Sequence, residues 1–201
     1  MTPPFQYPSG PHLRRHSPQG YRDYPRFRPW LRDEFAFRCV YCLRREQWEL
    51  ARGIFHIDHF LPVAHRPDLV TDYDNLLYVC ASCNFAKGDR VVPNPLIVLT
   101  GGVVRVKADG TIHADHHSEA AWLIDLLGLN GPDYIKFRKR WIDIVALARE
   151  KQPDLYQRLM GYPEDLPNLR RCNRGGGNTR PAGVEQSAFA RQKRGELPSC
   201  Y

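Results

Sequence analysis

The sequence Cys39-Val-Tyr-Cys42 is followed, after 37 intervening residues, by a second pair, Cys80-Ala-Ser-Cys83. Two Cys-x-x-Cys pairs are typical of a tetrahedral zinc site, in which four thiolates surround the ion at about 2.3 Å. A single pair could also be a redox motif. For the two pairs together, the alternative to a zinc site is two unrelated turns with buried cysteines. The pattern predicts a structural Zn²⁺ that staples a small fold and leaves no position open for a substrate.

The segment between the pairs, and the residues just after it, contain the groups that phosphodiester hydrolysis requires. That reaction needs a base to activate water and a cation to stabilise the developing charge. Imidazole side chains titrate near neutrality, and His59 is the expected base. Asp58 and Asn84 offer hard oxygen ligands of the kind that Mg²⁺ prefers. Asn75 carries an amide that can fix a backbone or an imidazole, and Lys87 offers a positive charge for phosphate near the expected start of a helix.

The order of these motifs resembles that of the HNH endonucleases, in the variant with a ββα-metal fold and paired zinc knuckles. The resemblance covers residues 38–90 and rests on Cys-x-x-Cys, Asp-His-x-x-Pro, Asn-Leu and Cys-x-x-Cys-Asn-x-x-Lys-Gly, in that order. It implies that His59 is the general base, that Asp58 and Asn84 bind the catalytic divalent ion, and that Asn75 supports the loop and orients the base. It also implies a zinc held by Cys39, Cys42, Cys80 and Cys83. Family members often have His where this chain has Asn84, so the choice among Mg²⁺, Mn²⁺ and Ni²⁺ stays open, with Mg²⁺ expected.

Other histidines allow two interpretations each. His56 lies two residues before Asp58 on an expected strand, so both side chains point to the same face. His56 is therefore a candidate contact to substrate or metal, with packing or surface exposure as the alternative. His65 is a further candidate for a substrate contact. A metal site is the minor alternative for three later histidines, which we expect to form a polar lead-in to a helix: His113, His116 and His117.

The composition divides the chain into four segments. We expect a disordered, basic, proline-rich arm over residues 1–29, a nuclease core over 30–92, an accessory strand and helix region over 93–170, and a disordered basic tail over 171–201. The expected fold class is α+β, with a small zinc-stapled ββα-metal core, a C-terminal extension of a β-hairpin and helices, and disordered tails.

Within these segments, local patterns predict individual elements. A strand is expected over residues 53–58, and a helix starting near Asn84. In the accessory region we expect a turn over residues 107–111, a helix capped by Ser118 and ended by Gly128, and a second helix over residues 133–150. The basic cluster at positions 136 and 138–140 of that second helix is expected to be a solvated face, with a nucleic-acid contact as the alternative.

The formal net charge of +7 is concentrated at the two ends of the chain. Residues 1–30 carry +4 and residues 161–201 carry +3, whereas residues 31–90 carry −1. The sequence pI of about 9.2 suggests a polyanionic partner but says nothing about the chemistry performed on it.

Together these features predict a metal-dependent endonuclease that hydrolyses phosphodiester bonds in DNA. One alternative is a zinc-stapled nucleic-acid-binding module without catalysis. Another is a nuclease subunit that is active only in a larger assembly, such as a bacterial or phage defence complex with an ATPase partner. No stretch approaches the roughly 20 apolar residues of a membrane span, and no secretory signal is recognisable, so we expect a cytoplasmic protein without a membrane partner.

Overall fold

Two antiparallel strands and a helix form the centre of the molecule. The computed structural model describes residues 3–49, 54–172 and 176–201. Helix α1 (Arg28–Glu34) precedes strands β1 (Phe55–His59) and β2 (Leu76–Cys80), and β2 runs directly into helix α2 (Ala81–Lys87). Phe55 pairs with Cys80 and His59 with Leu76. The expected α+β class is confirmed, and the strands and α2 follow one another in ββα order.

Burial explains why β2 has no alternating pattern. All five residues of β2 are buried, since α1 and α2 both contact this strand. Strands that are covered in this way are continuously apolar. Gly88 ends α2 with a φ of 54°, a conformation that glycine adopts without steric cost.

The predicted boundaries of β1 and α2 differ from the structure, and β1 ends at His59, one residue later than expected. Gly53, the expected first residue of β1, lies outside the described residues. Helix α2 begins at Ala81 rather than near Asn84, because Cys80 occupies the N-cap position. Asn84 therefore lies in the middle of α2, and Lys87 is its last residue instead of lying near its start.

The accessory region follows the local predictions. Its elements are α3 (Pro95–Val98), the antiparallel hairpin β3 (Val104–Val106) and β4 (Ile112–Ala114), α4 (Glu119–Leu126), α5 (Pro132–Lys151) and α6 (Pro153–Met160). The Ser118 hydroxyl accepts the Ala121 N–H at 3.1 Å and caps α4. Gly128 follows the helix with a φ of 60°.

Helix α5 packs directly on the central unit. Trp141 stacks on Trp48 with 4.4 Å between ring centroids, and the Arg44 guanidinium lies 4.3 Å from the Phe137 ring centroid. Arg138 is buried and donates to the carbonyls of Gly110 and Leu129, both at 2.6 Å. The expectation of a solvated basic face is therefore wrong for Arg138, because its guanidinium satisfies carbonyls at the hairpin turn and beyond α4.

The N-terminal arm is folded, contrary to the expected disorder. Phe5 and Tyr7 are buried in the main core, and the Tyr7 hydroxyl donates to the Tyr41 carbonyl at 2.8 Å. His16 is also buried, with Nε2 2.8 Å from Asp33 Oδ2. The arm lacks a periodic pattern because single aromatic residues, separated by prolines, insert into the core one at a time.

The C-terminal tail is also folded. It contains α7 (Leu169–Cys172), α8 (Ala182–Glu185) and α9 (Ala188–Lys193). The N–H of Ala188 donates to Asp33 Oδ1 at 2.7 Å, so α1 holds both ends of the chain. Across the described residues, one apolar cluster extends from Phe5 to Val184. No helix in these parts of the chain is both long and apolar enough to cross a membrane.

Candidate active site and metal centre

The four predicted knuckle cysteines form one buried cluster. Their sulfur atoms all lie within 4.8 Å of one another, and Cys42 Sγ is 3.6 Å from Cys80 Sγ. A tetrahedral ion with Zn–S bonds of about 2.3 Å needs sulfurs about 3.8 Å apart. The geometry and the all-thiol donor set therefore fit a structural zinc site.

Local backbone structure positions these thiols. Cys80 ends β2 and Cys83 lies in the first turn of α2. The other pair lies in a turn that Leu43 completes with a φ of 61°, and this turn is fixed to β2 by the Val40 N–H, which donates to the Tyr78 carbonyl at 3.0 Å. The two knuckles are thus brought together by β2.

Groups outside the knuckles complete the surroundings of the cluster. The Tyr134 hydroxyl of α5 lies 3.5 Å from Cys83 Sγ. Burial lowers the pKa of Arg44, but the nearby Cys42 and Cys80 thiols outweigh it and raise this pKa. Hydrogen bonds from the other three cysteines hold the pKa of Cys80 far below its usual value. The same contacts and burial raise the pKa values of Cys42 and Cys83, so negative charge in the cluster is concentrated on Cys80, and groups of both the central unit and α5 surround it.

His59 ends β1 with its imidazole held on one side. Its Nε2 lies 3.0 Å from the Val70 carbonyl oxygen, which can only accept, so the proton resides on Nε2. His59 Nδ1 has no hydrogen-bond partner among the described residues, and His59 as a whole is partly exposed. The rings of Tyr24 and His59 form a T-shaped pair, with 4.8 Å between centroids. This arrangement leaves a basic nitrogen free to accept a proton from water.

Asp58 is buried beside His59 and bound on both oxygens. Lys87 Nζ donates to Oδ1 at 2.9 Å, and the Tyr41 hydroxyl donates to Oδ2 at 3.1 Å. Burial raises the pKa of Asp58 above its ordinary value, although Lys87 and Tyr41 act in the opposite direction. Each carboxylate oxygen has a second lone pair, so cation binding here is compatible with both hydrogen bonds.

Asn84 contacts β1 at His56, two residues before Asp58. Its Nδ2 donates to His56 Nδ1 at 3.2 Å, which directs Oδ1 away from the ring. His56 and Asp58 share one face of β1, about 6.7 Å apart along the strand, and Asn84 and Lys87 share one face of α2. The His56–Asn84 and Asp58–Lys87 contacts are thus neighbouring pairs between strand and helix.

Asn75 is buried and ties down the loop after β1. Its side chain accepts the Leu61 N–H at 2.8 Å and donates to the Leu61 carbonyl at 3.1 Å and to the Leu69 carbonyl at 3.4 Å. Because Val70 follows Leu69 directly, Asn75 supports the segment whose carbonyl holds the His59 imidazole. Its predicted part in supporting the loop has a clear structural basis.

Lys87 does not match its predicted environment. The expectation placed it near a helix start with its charge available to phosphate, but its ammonium is buried at the end of α2. It donates to Asp58 Oδ1 at 2.9 Å and to the His59 carbonyl at 2.8 Å. The prediction of a phosphate contact is corrected accordingly: Lys87 is an internal partner of Asp58.

The remaining histidines lie outside this arrangement. The His65 side chain is exposed, and only the main-chain N–H of this residue donates a hydrogen bond, to the Pro62 carbonyl at 2.9 Å, among the described residues. In the described parts of the chain, no metal-ligating cluster of acidic, histidine and cysteine side chains includes His113, His116 or His117. Sequence reasoning missed Tyr24, which touches His59 from the N-terminal arm, and Tyr41, which touches Asp58 from a variable position of the first Cys-x-x-Cys pair.

Comparison with known families agrees with this geometry. Residues 39–90 match the family model described as HNH endonuclease, which covers about a quarter of the chain. The matched segment contains all four clustered cysteines, both strands of the central sheet and α2. A search of curated proteins finds no match to the chain. The chain therefore carries an HNH endonuclease domain at these residues.

Proposed function

We propose that this chain is a metal-dependent endonuclease that hydrolyses phosphodiester bonds in DNA, with His59 as the general base. The observation that carries the proposal is the orientation of the His59 imidazole. Nε2 donates to the Val70 carbonyl, Nδ1 has no partner among the described residues, and His59 directly follows the buried Asp58 on a partly exposed strand end. This orientation supports proton abstraction, because Nδ1 carries the lone pair and no protein group occupies it.

In the proposed reaction, His59 Nδ1 accepts a proton from a water molecule as the water oxygen attacks phosphorus. The bond from phosphorus to the 3′-oxygen breaks, and this leaving oxygen takes a proton from solvent water. The Val70 carbonyl stabilises the resulting imidazolium, because it accepts a hydrogen bond from Nε2–H. General base catalysis of this kind contributes about 10²- to 10⁴-fold to the rate. Asn75 acts indirectly, by holding the loop that presents Val70.

A divalent cation would be held by Asp58 and by Asn84 Oδ1. Both are hard oxygen donors, and the contact of Asn84 Nδ2 with His56 leaves Oδ1 for a cation. When bound, the cation supplies neutralisation of the charge that develops on phosphate and on the leaving oxygen. Lys87 keeps part of the Asp58 charge compensated, so we expect modest cation affinity, with Mg²⁺ as the expected ion and Mn²⁺ or Ni²⁺ as substitutes. His56 is proposed to orient Asn84, and a phosphate contact by His56 stays a prediction.

Metal depletion and replacement tests this proposal against a nucleic-acid-binding module without catalysis. Zinc-loaded protein is treated with EDTA under conditions that retain one zinc per chain, and plasmid DNA is then offered with Mg²⁺, Mn²⁺, Ni²⁺ or Zn²⁺. The proposal predicts nicked or linear plasmid only after a divalent ion is restored. Binding of the plasmid without cleavage under every condition would support the binding module instead. A parallel reaction with single-stranded and duplex RNA tests the choice of DNA.

A further inference from the structure

We propose that Tyr24 is a positioning residue for His59, supplied by the N-terminal arm from outside the HNH domain. The two rings meet edge to face, with centroids 4.8 Å apart and planes at 72°. Aromatic rings prefer this geometry to parallel overlap. The catalytic consequence rests on the proposed function, whereas the effect on the orientation of the imidazole does not.

Tyr24 is held rigidly relative to the strand that carries His59. It begins a 3-10 turn, Tyr24–Phe27, whose second residue is Pro25. Phe27 anchors this turn in the core, with ring centroids 4.8 Å from Tyr21 and 5.6 Å from Tyr73. The next residue, Arg28, donates to the Phe55 carbonyl at the start of β1 at 2.8 Å. The turn and β1 therefore form one unit.

The tyrosine ring supplies a restraint that the Val70 hydrogen bond lacks. The hydrogen bond from Nε2 to the Val70 carbonyl holds one edge of the imidazole, and rotation of the ring about the Cα–Cβ or Cβ–Cγ bond breaks it. The Tyr24 ring packs against the imidazole and restricts this rotation, so the two contacts together define where Nδ1 points. Since a reacting group displaced by about 1 Å can lose about 100-fold in rate, this restraint has a direct kinetic consequence.

The contact is made by the ring of Tyr24, not by its hydroxyl. The hydroxyl has no hydrogen-bond partner among the described residues, and the residue is half-buried. Tyr24→Phe should therefore preserve the function of the residue. Tyr24→Leu keeps an apolar side chain to cover the core but removes the ring, so it separates positioning from simple coverage.

The test compares Tyr24→Ala, Tyr24→Leu and Tyr24→Phe in full-length, zinc-loaded protein. Leu13→Ala is the matched control, because Leu13 lies in the same arm and is 82% exposed. The measurements are kcat and KM for a DNA duplex, and the tautomer of His59 from ¹H–¹⁵N correlation spectra of the imidazole. We expect Tyr24→Ala and Tyr24→Leu to lower kcat about 10- to 100-fold with KM changed less than about threefold. Tyr24→Phe and Leu13→Ala should match the unsubstituted protein.

The spectra provide an outcome that does not depend on activity. We expect the Nε2–H form of His59 in the unsubstituted protein and in Tyr24→Phe, and averaging between the two tautomers in Tyr24→Leu. Unchanged kcat and unchanged tautomer in Tyr24→Leu would overturn the inference, as would equal effects of Tyr24→Phe and Tyr24→Ala. If the unsubstituted protein cuts no nucleic acid, the proposed function fails while the spectra still decide the role of Tyr24.

Discussion

Lys87 Nζ lies 2.9 Å from Asp58 Oδ1, and the two side chains are only 1% and 6% exposed. The same ammonium donates to the main-chain carbonyl of His59 at 2.8 Å. One lysine thus fastens the end of α2 to the end of β1, where the proposed base and a proposed metal ligand lie side by side. A charge pair this well buried is costly to break, because the remaining partner has no water to stabilise it.

Lys87→Met tests this internal role. The substitution keeps most of the side-chain length but leaves the Asp58 carboxylate buried without its counter-ion, and we expect a loss of about 3–5 kcal/mol in the free energy of unfolding. Lys139→Met is the matched control, since its pair with Asp143 is 47% and 58% exposed. Exposed pairs contribute about 0–1 kcal/mol. Urea unfolding measures both, and equal costs for the two variants would show that Lys87 is not an internal partner.

The residues that carry the chemistry of the site could be predicted from the sequence, but the residues that surround them could not. The cysteine pairs, the order of Asp58, His59, Asn75 and Asn84, and the Ser118 cap are local patterns, and local patterns can be recognised without a fold. Burial of Lys87 follows from the start of α2 at Ala81, three residues earlier than expected. The contact of Tyr24 with His59 joins residues 35 positions apart, and no periodicity encodes such a contact.

Contacts between distant residues also explain why the two ends of the chain are folded although their composition predicts disorder. Proline-rich composition and lack of periodicity suggested disorder, yet isolated residues such as Phe5 fill positions in a core made by other segments. Phe5 lies with its ring centroid 5.2 Å from that of Trp48. Tertiary burial of single side chains overrides composition wherever a preformed surface receives them.

Phe5→Ala tests the folded arm directly. Because Phe5 is 4% exposed and contacts Trp48 and Phe137, its truncation should lower the free energy of unfolding by about 3 kcal/mol. Leu13→Ala in the same arm should change it by less than about 0.5 kcal/mol. A negligible effect of Phe5→Ala in urea unfolding would indicate that the arm is disordered after all.

The contacts of Glu34 with the N-terminal arm make the free energy of unfolding depend on pH. Burial would raise the pKa of Glu34, but hydrogen bonds from His12 and the Arg15 N–H, together with the charge of His16, lower it from 4.5 to about 2. The folded pKa lies below the unfolded one, so the stabilisation, about 3 kcal/mol, is complete above pH 4.5 and is lost as the pH falls towards 2.

Glu34→Gln removes this titration. We expect its unfolding free energy to fall less steeply between pH 5 and pH 3 than that of the unsubstituted protein, measured by urea unfolding at fixed steps of about 0.5 pH units. Loss of zinc in acid affects both proteins alike, so the difference between the two curves isolates Glu34. Parallel curves would contradict the assigned interactions of Glu34 with the arm.

Tyr134 extends the zinc site into α5. Tyr134→Phe removes the hydroxyl next to Cys83, and we expect zinc affinity to fall about 10-fold, the lower end of the range for a lost outer hydrogen bond. Competition with a chromophoric chelator measures the affinity, and Tyr156→Phe on α6 serves as the control. Equal zinc affinities for the two variants would show that α5 does not contribute to the site.

The most direct measurement of the central claim is the DNA cleavage rate of His59→Ala with a divalent ion present, after circular dichroism and zinc content have shown that the variant is folded and loaded. His113→Ala, an exposed histidine on β4, is the matched control. The account predicts a rate about 10²- to 10⁴-fold lower for His59→Ala, with DNA affinity retained, and an unchanged rate for His113→Ala. Cleavage by folded, zinc-loaded His59→Ala at the rate of the unsubstituted protein would contradict it.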